Sequence, residues 1–114
     1  MTSQFLPLSP AALHILLALA GEDRHGYGIM REVERQSDGQ YRLGPGTLYD
    51  NLQRLLDKGL VAETAKSGTD EDPRRRYYRL TSLGQQVLAA EIARLEDMFR
   101  EAKLGLQGRR PRRA

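Results

Sequence analysis

The residues best suited to chemistry lie on one face of a segment near the middle of the chain. Between residues 45 and 58, Leu48, Leu52, Leu55 and Leu56 recur at helical spacing. At about 100° per residue, the opposite face carries Gly46, Thr47, Asp50, Gln53, Arg54 and Asp57, with Tyr49 on its flank. A slim polar face of this kind fits the major groove, where Gln pairs with adenine and Arg with guanine.

A run of three arginines follows, and its members are Arg74, Arg75 and Arg76. Such a run neutralises backbone phosphates or enters a minor groove. The alternative is structural, because charges on an exposed strand edge also prevent edge-to-edge aggregation. Asp50 would repel phosphate, so it either accepts from cytosine or makes no contact with nucleic acid.

The composition excludes several function classes. The chain of 114 residues has no cysteine and two histidines, so no metal site is expected. It has no Ser/His/Asp arrangement, cysteine nucleophile or phosphate-binding loop, and we therefore expect neither an enzyme nor a cofactor. The longest apolar run, 11–20, is too short to span a membrane and lacks the flanks of a signal peptide, so we expect a cytoplasmic protein.

The net charge of +3 comes from the C-terminus rather than from the whole chain. Four arginines within the last six residues leave −1 for the rest. A nucleic-acid partner must therefore be argued from local clusters. We predict that the tail, 107–114, is disordered and at most a non-specific electrostatic contact.

Periodicity and breakers predict helices over 11–20, 26–37 and 45–58, and a last helix from Thr81 to about residue 104. Ser9-Pro10 is a typical helix start. Residues 22–25 are predicted as a polar turn. Two short strands, 60–64 and 74–80, flank a polar loop and predict a β-hairpin.

This order predicts a mainly α (α+β) fold, a winged helix-turn-helix with an added C-terminal dimerisation helix. The predicted units are a DNA-binding domain over 1–81, the dimerisation helix over 82–106 and the tail. A heptad-like seam on the last helix consists of Leu88, Ile92, Leu95, Phe99 and Ala102. In a single copy of the chain we expect this seam to be exposed. In a dimer we expect it to pack against the same seam of the second copy and against Leu13 and Leu17 of the apolar first helix.

The sequence resembles the PadR-like transcriptional regulators. The resemblance rests on His25-Gly26-Tyr27-Gly28-Ile29, Gly46-Thr47-Leu48-Tyr49, Lys58-Gly59-Leu60-Val61 and Arg76-Tyr77-Tyr78-Arg79-Leu80-Thr81 with Gly84. The resemblance implies a homodimer that binds double-stranded DNA, in which the third helix and the wing recognise an inverted repeat. The subgroup with a single C-terminal helix is the most similar. An acidic wing tip, 70–72, and the absence of tryptophan depart from the pattern.

We therefore predict a sequence-specific transcriptional regulator, a repressor, that binds a pseudo-palindromic operator as a homodimer. Some relatives hold planar drugs at the dimer interface, so release by a small hydrophobic or aromatic effector is part of the prediction. The alternative is a winged-helix module for protein–protein interaction without specific DNA binding, for which the acidic wing tip would be an asset.

Overall fold

A computed structural model of the chain describes residues 2–64 and 75–108. A 3-10 turn, Ser3–Phe5, precedes the regular elements. The helices are α1 (Pro10–Leu19), α2 (Gly26–Gln36), α3 (Pro45–Asp57) and α4 (Ser82–Gln107), and the strands are β1 (Arg24–His25), β2 (Val61–Thr64) and β3 (Tyr77–Leu80). This order confirms the predicted winged helix-turn-helix with an appended helix.

Two helix starts follow directly from local sequence. The Ser9 hydroxyl accepts a hydrogen bond from the Ala12 amide, and Pro10 occupies the first helical position, where its missing N–H costs nothing. Thr81 caps α4 by accepting from the Gly84 amide at 2.9 Å. The same hydroxyl donates to the Gly59 carbonyl at 2.6 Å, so Thr81 also ties the start of α4 to the end of α3.

The sheet has three strands rather than the predicted two. The β2–β3 pair is antiparallel with Val61 opposite Leu80, which confirms the predicted pairing. The predicted polar turn over 22–25 was wrong in part, because Arg24 and His25 form β1 on the other edge of β3, opposite Tyr78 and Tyr77. A strand of two residues has no alternation to detect, and the free edge of β3 supplies its hydrogen bonds.

The core surrounds α1, as its apolar composition predicted. Ile15 and Leu16 are fully buried, and Leu13 and Leu17 are half-buried. Leu19 of α1 is also buried. The other large buried apolar side chains come from the remaining helices and from β2 and β3: Ile29, Val33, Leu48, Leu52, Leu55, Val61, Tyr78, Leu80, Val87 and Leu88, with Leu43 and Leu60 from the connections. The leucine stripe of α3 therefore faces inward, and its polar face is turned outward.

Only the first half of α4 packs against the rest of the described chain. Its buried residues are Gly84, Val87, Leu88 and Glu91. The expectation that Leu88 lies uncovered at a dimer seam is corrected, because α4 crosses α1 and β3 at this point and buries Leu88 in the core of its own protomer. From residue 92 onward the helix is exposed except for half-buried Arg94 and Leu95.

Glu91 is the buried carboxylate that joins α4 to the N-terminal segment. It accepts from the Leu8 amide at 3.0 Å and from the Arg94 guanidinium at 2.6 and 3.0 Å. The Arg94 hydrogen bonds are the largest cause of its lowered pKa; burial opposes them and the Leu8 amide assists. Glu91 is therefore an anion that fixes the segment before α1 to the long helix.

Candidate nucleic-acid interface

The outer face of α3 is polar and open to solvent. Gly44 is the N-cap residue and Pro45 the first helical residue, so α3 begins abruptly. All seven residues that the sequence placed on this face or its flank are exposed: Gly46, Thr47, Tyr49, Asp50, Gln53, Arg54 and Asp57. The small residues at the start of α3 leave its backbone N–H groups approachable, and the helix dipole favours an anion there.

Side chains on this face are partly engaged with one another. Arg54 forms an ion pair with Asp50 at 3.0 Å, one turn earlier. Gln53 donates to the Asp57 carboxylate at 2.9 Å. Both pairs are exposed, so they hold the side chains in place weakly and can be exchanged for a ligand. The Asp50 carboxylate thereby offsets part of the positive charge that Arg54 contributes.

Arg75 and Arg76 lie at the base of the wing, immediately before β3. The Arg75 Nη1 atom is 2.9 Å from His25 Nε2. Arg76 forms an ion pair with Glu63 of β2 at 3.4 Å. Arg74, the wing tip 70–72 and the tail residues 109–114 lie outside the described residues.

A cleft of about 300 Å³ joins the wing base to α3. Its lining residues are His25, Gly26, Tyr27, Tyr49, Arg75, Arg76 and Tyr78. Tyr49, Arg75 and Arg76 are among the residues that the sequence predicts for the interface, whereas His25 and Tyr27 are not. Residues 25 and 75 become neighbours only when β1 pairs with β3.

Glycine is required at Gly26 and at Gly84, because another part of the chain lies very close to each of them. A Cβ atom at Gly26 would collide with the Tyr49 hydroxyl, which lies over the start of α2. A Cβ atom at Gly84 would collide with the Leu60 carbonyl. Gly26 thus fixes how α2 meets α3, and Gly84 fixes how α4 meets the wing.

Charges around the cleft are ordered by neighbouring ion pairs. The Glu32 carboxylate of α2 accepts hydrogen bonds from Arg35 and Gln36. These two hydrogen bonds are the main reason that the pKa of Glu32 is lowered to about 2. Burial of Glu32 acts in the opposite direction, and the charges of Arg24 and Arg35 lower the pKa further. Arg31 lies over the Tyr27 ring, 5.7 Å from its centroid. Burial is the main cause of the raised pKa of Tyr78, so this phenol at the cleft is neutral.

The predicted dimer seam is only partly uncovered in one protomer. Ile92, Phe99 and Ala102 are exposed, and Leu95 is half-buried. Leu13 and Leu17 of α1 are half-buried. Within residues 2–64 and 75–108, no helix is long and apolar enough to cross a membrane, and no three acidic or histidine side chains cluster as metal ligands.

Known proteins share both the sequence pattern and this geometry. Residues 15–90 match the model of the Transcriptional regulator PadR-like family. Over 89 residues the chain is 36% identical to the transcriptional regulator Rv3488 of Mycobacterium tuberculosis, covering 78% of each chain.

Solved structures of other bacterial proteins agree with this match. A PadR family transcription regulator of Clostridium difficile superposes with a TM-score of 0.65 and 26% identity, covering 86% of this chain and 97% of that one. Bacillus subtilis PadR in complex with operator DNA, at 23% identity, shares the fold with a TM-score of 0.62 over 75% of this chain and 48% of that one. The chain belongs to the PadR-like family of transcriptional regulators.

Proposed function

We propose that the chain is a sequence-specific repressor that binds a pseudo-palindromic operator in double-stranded DNA as a homodimer. The observation that carries the proposal is the outer face of α3, which is polar, exposed and flanked by Arg75 and Arg76 at the wing base. Bacillus subtilis PadR, which shares the fold, has been solved in complex with operator DNA, and this supports DNA as the partner.

In this proposal α3 enters the major groove by its polar outer face. Thr47 and Gln53 contact base edges, and Gly46 lets the helix approach the backbone. Arg54 exchanges its bond to Asp50 for guanine or a phosphate. Arg75 and Arg76 contact the backbone, and Arg74, which precedes them in the chain, is assigned the same role.

Residues 82–106 form the dimerisation helix of the proposed assembly, and residues 1–81 form the DNA-binding domain. The seam that remains after Leu88 is assigned to the core consists of Ile92, Leu95, Phe99 and Ala102, and Leu13 and Leu17 of α1 extend it. A fully buried large aliphatic or aromatic side chain stabilises by about 1.5–3 kcal/mol, before association costs. Two-fold symmetry sets the two α3 helices about 10 bp apart on DNA.

Small-molecule release is the regulatory part of the proposal. The exposed aromatic and thioether side chains of α4, Phe99 and Met98, are 55% and 50% accessible in one protomer. Between two copies of α4 they offer apolar contact to a small hydrophobic or aromatic effector. An effector that binds there should lower operator affinity and raise the thermal stability of the dimer.

The deciding experiment is selection of fragmented genomic DNA by the purified protein, followed by sequencing. We expect enrichment of fragments that share an inverted repeat. Thr47→Ala and Gln53→Ala should change the preferred bases, whereas Arg75→Ala should reduce the salt slope of binding by about one unit. Arg100→Ala, on the solvent side of α4, is the matched arginine control. No enrichment by the wild-type dimer would overturn the proposal and favour the protein-interaction module.

A further inference from the structure

A small cavity lies between the N-terminal segment and α3, away from the cleft at the wing base. Its volume is about 270 Å³, and its apolar lining includes Phe5 and Leu8 of the N-terminal segment and Leu55 and Leu60 at the end of α3. Pockets for drug-sized ligands usually measure about 300–1,000 Å³. The cavity therefore fits a smaller molecule with an apolar body.

The N-terminal side of this cavity is held in place at two consecutive residues. The Leu8 amide donates to the buried Glu91 carboxylate of α4 at 3.0 Å. The Ser9 hydroxyl accepts from the Ala12 amide at 3.2 Å and thereby caps α1. Because both residues are fixed by these bonds, the cavity is preformed, and a ligand can enter it with little ordering of the chain.

Two cations of α3 lie at the same cavity. Arg54 and Lys58, one helical turn apart, are among the lining residues, and the described part of the chain contributes no carboxylate to the lining. Lys58 forms no ion pair with any described residue. Arg54 is paired with Asp50 at 3.0 Å, and this exposed pair is weak enough to be exchanged. An apolar interior beside two positive charges is complementary to a molecule with one carboxylate on an apolar body.

We propose that this cavity binds a small amphipathic carboxylate, with its apolar body in the leucine-lined interior and its carboxylate between Arg54 and Lys58. The site is separate from the effector contact proposed on α4. Because Arg54 also belongs to the proposed DNA-binding face, the bound carboxylate competes with DNA for its guanidinium. This competition rests on the proposed function, whereas binding of the carboxylate does not.

The first test uses octanoate as the probe and measures its binding to the purified protein by calorimetry and by amide NMR shifts. With about ten non-hydrogen atoms, octanoate should bind with a dissociation constant below about 1 mM and shift the amide signals of Leu8 and Leu60. Octanamide lacks the charge and acetate lacks the apolar body, so both should bind severalfold more weakly. Equal binding of octanamide, or octanoate shifts confined to the second half of α4, would overturn the inference.

A lysine variant tests the charged end of the site. Lys58→Gln removes one cation and keeps a side chain of similar length, and it should weaken octanoate binding about two- to fivefold, as expected for one exposed ionic contact. Lys103→Gln, at an exposed position of α4, is the matched control and should bind octanoate like the wild-type protein. Wild-type affinity for octanoate in Lys58→Gln would overturn the assignment of the carboxylate to this site.

The second test measures DNA binding on a duplex recovered by the genomic selection. Saturating octanoate should weaken wild-type binding about three- to fivefold, and acetate at the same concentration should have only the smaller effect of the added salt. Octanoate that binds in the cavity and leaves DNA affinity unchanged would overturn the competition for Arg54. Wild-type protein that retains no DNA without octanoate would instead overturn the proposed function, and the first test would still decide the carboxylate site.

Discussion

Glu32 is the side chain whose environment gives the clearest prediction at the scale of single residues. Its pKa is about 2 in the folded protein, below its ordinary 4.5, because Arg35 and Gln36 donate to the carboxylate. The folded state therefore binds fewer protons than the unfolded chain between these values. The contribution of Glu32 is complete above about pH 4.5 and is lost as the pH falls towards 2.

The variant Glu32→Gln should show a weaker dependence of unfolding free energy on pH in this acidic range. The wild-type protein loses the carboxylate's contribution on acidification, whereas the amide has no charge to lose. Urea unfolding at several pH values between 2 and 5 measures the difference. Parallel curves for the two proteins would contradict the assignment of this ion pair to the folded state.

Substitution of glycine by alanine should have opposite effects on stability at two positions of α4. Gly84→Ala forces a methyl group against the Leu60 backbone carbonyl, and it should destabilise the fold by about 1–3 kcal/mol. Gly105→Ala meets nothing within 4 Å and should stabilise the helix by up to about 1 kcal/mol. Denaturant unfolding at one protein concentration tests both, and equal effects would show that the contact with Leu60 is not rigid.

At the scale of elements, α3 combines its proposed DNA-binding face with an ion pair that would oppose that binding. Asp50 and Arg54 are 3.0 Å apart and both exposed. Asp50→Asn should strengthen binding to duplexes of unrelated sequence and steepen the salt slope by about one unit, since Arg54 then contributes its charge to phosphate. Binding titrations at several salt concentrations measure it, and a loss of operator affinity would show that Asp50 contacts a base.

The start of α2 shows why an element's partners matter as much as its sequence. The motif from His25 to Ile29 predicts a helix, and the helix is present from Gly26. Its preceding two residues acquire a strand conformation only because β3 offers an edge. The pairing brings Arg75 to His25 across fifty positions of sequence, and it thereby creates the cleft beside α3.

For the whole molecule, the second half of α4 sets the expected assembly. Ile92→Glu together with Leu95→Glu should give monomers that lose operator affinity, because charges cannot be buried at the seam. Ala93→Glu, at an exposed position on the other side of the same helix, is the matched control and should remain dimeric. Sedimentation measures both, and a dimer in the double variant would contradict the seam assignment.

Membership of the PadR-like family also bears on the whole molecule. The members of this family are transcriptional regulators rather than enzymes, which confirms the prediction that the chain is not an enzyme. It also confirms the predicted winged-helix architecture, since the Clostridium difficile regulator superposes over most of both chains.

Local sequence by itself determined the helices, the paired strands β2 and β3 and the polar face of α3. Capping residues, glycine stops and apolar periodicity act over a few residues and are visible in the printed order. Burial of Leu88, the strand β1 and the approach of His25 to Arg75 depend on which elements cross. Those contacts join residues far apart in the chain, and only the packing of α4 on α1 and of β1 on β3 decided them.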